Sequence, residues 1–126
     1  MAFLRDRLDE DEATAKAATP GPWVVGRTVD EDGEHYGSHV ASVGAEKRML
    51  LTMTTGYIRS RHVPTAEHIV HYDPVRVLRE VEAKQAILTE IESELADDPT
   101  VVMPQDRLRI LAAVYRDHPD YDPKWE

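Results

Sequence analysis

The spacing of apolar and polar positions divides the chain into helical and extended stretches. Between residues 2 and 18, Phe3, Leu4, Leu8, Ala15 and Ala18 form an intermittent apolar stripe without Gly or Pro, and Asp9-Glu10-Asp11-Glu12 lies on the exposed side, so a helix is predicted. Thr19-Pro20-Gly21-Pro22 stops it, because proline disfavours helix in the residue before it and cannot donate an N–H. Trp23 to Val29 reads as a strand, Asp30-Glu31-Asp32-Gly33-Glu34 as a turn, His39 to Val43 as a second strand and Met49 to Thr54 as a third. Short strands with turn-rich connections suggest an antiparallel meander, which needs a covering layer to be stable in water.

Residues 55–63 read as a loop and Pro64 to Val70 as a helical turn. At Asp73-Pro74 a long helix starts: the carboxylate can accept hydrogen bonds from the open N–H groups of the first turn, and proline already has the required φ. Val77, Leu78, Val81, Ile87, Leu88, Ile91 and Leu95 then recur at three- and four-residue spacing until Asp97-Asp98-Pro99. Gln105 to Tyr115 forms a last helix bearing Leu108, Leu111, Ala112 and Tyr115, followed by a polar tail that carries Tyr121 and Trp125. The expected architecture is one α+β domain: N-terminal helix, three-stranded antiparallel meander, long amphipathic helix and short C-terminal helix.

Composition narrows the chemistry. The 126 residues suit one ordinary domain, and the apolar fraction of 41% argues against wholesale disorder. With one Phe and two Trp, the core should be mainly aliphatic. The absence of cysteine excludes disulfides, thiol nucleophiles and Cys-ligated metal sites. No window approaches the roughly 18 apolar residues of a membrane span, and the first residues hold no apolar run of signal-peptide length. A soluble, cytoplasmic protein that does not bind membranes is expected. The net charge is −9, with the acid excess over the helical segments and balance in residues 21–63. Lys47, Arg48, Arg59 and Arg61 are too few to track a phosphate backbone against that background, so direct DNA binding is not expected.

Ala18-Thr19-Pro20-Gly21-Pro22-Trp23, the Ala66 to His71 turn and Asp73-Pro74 with Val77-Leu78-Arg79-Glu80-Val81-Glu82-Ala83-Lys84 form a pattern. The tail from Leu108 through Tyr115, Asp117-His118-Pro119, Tyr121 and Trp125 continues it. This pattern resembles a family of small uncharacterised proteins from actinobacteria, especially streptomycetes, and their phages. The layout is also similar to many phage accessory proteins. The resemblance leaves out residues 24–62 and brings no catalytic residues with it; it implies origin and architecture.

Several constellations have both a chemical and a structural use. His68 and His71, three apart on a helix, could share a face and join His118 in a three-ligand metal site, with Asp73 nearby. The His-Glu-x-x-His spacing of zinc hydrolases is absent, and a helix cap with structural histidines accounts for the same residues more simply. Trp23 is expected to pack and fix the chain's entry into the sheet. Tyr121 and Trp125 either anchor a partner or, as preferred here, fold back on the domain. The stripe of Ile87, Leu88, Ile91 and Leu95 either covers the sheet or also pairs with a second copy in a homodimer. No serine has a nucleophile-elbow context, and no glycine loop is spaced for phosphates.

The function expected from these residues is that of a non-catalytic accessory protein, phage- or prophage-derived, that binds a protein partner. Ile87, Leu88, Ile91, Leu95, Tyr121 and Trp125 are its candidate interaction residues. The alternative is binding of an anionic or nucleotide ligand through Arg59, Arg61, His68, His71 and Tyr72, or a metal-dependent activity at His68, His71 and His118. No cofactor other than such a metal ion is implied.

Overall fold

The computed structural model describes residues 1–29, 35–43, 49–54, 62–100 and 103–125. They form an α+β arrangement: an N-terminal helix, an antiparallel hairpin with a third strand beside it, a long helix and a short C-terminal helix, with helical residues in the majority. Two compact units divide the chain, Met1–Ala13 with Arg79–Glu126, and Thr14–Leu78.

In the unit Thr14–Leu78, the end of helix α1 (Ala2–Ala17) leads into strand β1 (Trp23–Val29), which pairs antiparallel with β2 (His35–Ser42). Strand β3 (Met49–Thr54) pairs antiparallel with β2, in the order β1-β2-β3. Strand β2 is longer than its sequence suggests, because His35 to Ser38, with a glycine and no aliphatic residue, are held by pairing with β1. On β3 the register shifts so that Ala41 faces Met49 instead of Leu50. Helix α2 (His62–His71) packs on β1 and β2, with Val40 and Ala66 fully buried. This helix replaces the short turn expected from sequence. Pro64 fits within its first turn because an N–H there would have no acceptor inside the helix. On the other face of the sheet, His39 lies over Gly26, whose absent Cβ would fall 2.1 Å from His39 Nε2, so the ring uses the space that only glycine leaves.

The unit Met1–Ala13 with Arg79–Glu126 contains the first three turns of α1, most of helix α3 (Pro74–Asp97), helix α4 (Met103–Ala112) and short 3-10 turns at Ala113–Tyr115 and Pro123–Trp125. Its core is Leu4, Leu8, Val81, Leu88, Ile91, Ala112 and Tyr121. Leu4 and Leu8 are four apart, and Val81, Leu88 and Ile91 keep helical spacing, so each helix buries one face. Arg5 reaches Glu92 with a two-point ion pair, its Nε donating at 2.9 Å, and Arg107 pairs with Glu94. The Arg5 guanidinium holds the Glu92 carboxyl below its usual range, mainly through the hydrogen bond. Asp98 closes α3 by accepting from the Thr100 N–H at 2.9 Å and its hydroxyl at 2.6 Å, which lowers its carboxyl in the same way.

The stripe offered as an interaction surface is mostly core. Leu88 and Ile91 are fully buried and Tyr121 is 8% exposed. Only Ile87 is exposed; Leu95 and Trp125 are half-buried. The tail therefore folds back, with the Phe3 ring meeting Tyr115, Tyr121 and Trp125 at centroid distances of 6.2, 6.2 and 5.1 Å.

Candidate functional site

The Thr19-Pro20-Gly21-Pro22-Trp23 corner and the Asp73-Pro74 helix start are 50 residues apart in sequence and form one structure. The Asp73 side chain accepts from the Trp23 N–H at 3.0 Å with one oxygen and from the Arg76 N–H at 3.0 Å with the other. The second bond is the predicted cap, made to the third residue of α3. The first ties the entrance of β1 to the same carboxylate, which is 7% exposed. Gly21 permits this approach: a Cβ there would lie 2.8 Å from both Asp73 Oδ2 and Val75 Cγ2. The corner contains a cis Gly21–Pro22 bond, and three hydrogen bonds fix it further. Trp23 Nε1 donates to the Thr19 carbonyl at 2.9 Å, Ser42 Oγ to that of Pro20 at 2.8 Å, and the Val43 N–H to that of Pro22 at 2.9 Å.

This brace holds the adjoining residues 68–76. Tyr72, 47% exposed, lies between the end of α2 and the start of α3. The His68 ring stands 5.0 Å from its centroid and the His71 ring meets it edge-on at 5.3 Å. The Arg76 guanidinium lies 4.8 Å over the tyrosine ring and touches His71 Nε2. Of the residues singled out from sequence, His68, His71 and Tyr72 lie together here, beside Arg76, which the spacing does not single out. Its only sequence signal is position, three residues after the capping aspartate and four after Tyr72, and that is equally the address of a solvated helix residue.

Arg59 and Arg61 lie outside the described residues. His118 belongs to the other unit, where both ring nitrogens contact Arg7 Nη1 and Nδ1 accepts from the Asp120 N–H at 3.1 Å. Among the described residues there is no group of three or more His, Asp or Glu placed to hold a metal ion. The physical reason lies in the partners: both Asp73 oxygens accept N–H groups, His71 faces a guanidinium, and His118 faces another. Also among these residues, no helix is long and apolar enough to cross a membrane.

A family model matches the whole chain, residues 1–126, including the sheet. The chain belongs to DUF6221, a family of unknown function. No curated protein and no solved structure matches it. The braced junction of this DUF6221 chain thus has to be interpreted from its own chemistry. It presents an aromatic ring, a guanidinium and two imidazoles on backbone that a buried carboxylate fixes from behind.

Proposed function

We propose that the chain is a non-catalytic binding protein that docks onto a protein partner through the Tyr72 cluster. The observation that carries this reading is a half-exposed tyrosine with an arginine stacked on its face, set at a helix junction whose backbone is pinned by Asp73. Tyrosine and arginine are the side chains that most often anchor protein interfaces, and a pinned backbone reduces the entropy lost on binding. His68 and His71 add hydrogen-bonding edges on either side, which suits a partner surface presenting carbonyl or carboxylate oxygens. An accessory role of phage or prophage origin rests on the motif resemblance described above.

Affinity capture from the source cells, quantified for the wild-type chain and for Tyr72→Ala and Arg76→Ala, tests the proposal. A protein retained by the wild type and reduced at least about fivefold by either variant, each remaining folded by circular dichroism, is the expected result. Identical retained sets from all three chains would overturn it.

A second reading has a small anion held at the same place. The convergence of Arg76, His68 and His71 on one tyrosine favours it. Calorimetric titration with inorganic phosphate and with a nucleoside monophosphate separates the two, since only this reading expects heat from the isolated chain.

A further inference from the structure

The unit Met1–Ala13 with Arg79–Glu126 contains a groove of about 200 Å³ that the reading above does not use. One wall is a single face of α4: Gln105, Leu108, Arg109 and Ala112 follow one another at helical spacing. Met1, Phe3 and Leu4 at the start of the chain and Trp125 of the tail complete the lining. The Phe3 and Trp125 rings stand 5.1 Å apart at 58°, a tilted pair against which an apolar chain or ring can lie. Arg109 is the only charged side chain among the described lining residues, which also include Met1. Its ion-pair partner Asp106 is 3.9 Å away, beyond hydrogen-bonding distance, and the Arg109 side chain is 53% exposed.

We infer that this groove binds a small amphiphilic carboxylate, of roughly ten non-hydrogen atoms for its volume. The apolar body lies against Phe3, Leu108, Ala112 and Trp125, and the carboxylate sits on Arg109 with the Gln105 amide beside it. Charge complementarity selects this ligand class. The planar guanidinium matches the two oxygens of a carboxylate in a two-point pair. A cationic amphiphile would meet like charge.

Calorimetric titration of the full chain with octanoate and with its neutral analogue octanamide tests the assignment. Octanoate is expected to bind with a Kd of about 0.1–1 mM, and octanamide at least about tenfold more weakly. Arg109→Gln, at an exposed position, should lower octanoate affinity about tenfold and leave octanamide unchanged. Gln105→Trp, also exposed, should fill the mouth and weaken both ligands. Absence of octanoate heat up to 10-fold above that Kd range, or equal octanoate affinity in wild type and both folded variants, overturns the site. Equal affinity for the two ligands overturns the role of Arg109.

Discussion

Asp73 shows how much one side chain can be asked to hold. As a helix cap it was legible from Asp-Pro followed by an amphipathic run. Its bond to the Trp23 N–H was not, because nothing local in the Thr-Pro-Gly-Pro-Trp corner identifies a partner 50 residues away. Gly21 belongs to the same contact: the corner reads as a stop signal in sequence, and in three dimensions it is also the clearance for a carboxylate. The two bonds differ in what replaces them. Removing a cap costs about 0.5–2 kcal/mol, and leaving a buried N–H unpaired adds about 1–3 kcal/mol. Asp73→Ala is therefore expected to destabilise by roughly 2–4 kcal/mol. Asp73→Asn, which keeps one acceptor oxygen, should lose about half of that. Urea unfolding of the two variants checks the order, and equal midpoints for Asn and Ala would refute the two-bond account. Tyr72 and Arg76, which carry the proposed interface, should both be near neutral in the same measurement.

At the scale of elements, the docked tail is the feature on which sequence and structure agree in direction and differ in means. Tyr121 and Trp125 announced apolar contact, and the tail does return to α1. What holds it there includes polar contacts that sequence could not pair. Arg7, nearly buried, donates to Glu10 at 2.9 Å, lies 5.4 Å from the centre of the Phe3 ring and meets the His118 ring. Tyr115 donates to Asp11 at 2.6 Å. Burial, and then the bond to Asp11, push the Tyr115 phenol well above its ordinary value of 10.0. A phenol whose pKa is raised on folding contributes stability that is complete below the unfolded value and is lost as pH rises from there towards the folded one. Tyr115→Phe is accordingly expected to be less stable than wild type by about 1–2 kcal/mol at neutral pH, with the gap narrowing above pH 10. Chemical denaturation at pH 7 and at pH 11 measures it, and a gap that stays constant or widens at pH 11 would contradict the linkage. Burial makes Leu88 and Ile91 unsuited to a dimer face. They are core, and Leu88→Ala should cost about 2–5 kcal/mol whatever the oligomeric state.

For the molecule as a whole, periodicity disclosed the helices and the hairpin, because those depend on neighbours in sequence. It could not disclose α2 in full, since His62 to His71 carries a proline and several polar residues and is held by packing on β1 and β2. The division into two units was equally hidden, because its boundaries fall inside α1 and α3 and no linker composition marks them. The net charge of −9, by contrast, is a whole-chain property that the fold cannot alter. Exposed pairs such as Arg107 with Glu94 return little of the repulsion it creates, about 0–1 kcal/mol for a pair of that exposure. Screening should therefore act mainly on the excess of like charge. Raising ionic strength from 0.05 to 0.5 M shortens the Debye length from more than 10 Å to less than 8 Å and is expected to stabilise the chain by about 1 kcal/mol. For a domain near this size that corresponds to an increase in Tm of roughly 4 °C, readable by calorimetry at pH 7. A fall in Tm over the same range would mean that the ion pairs outweigh the repulsion.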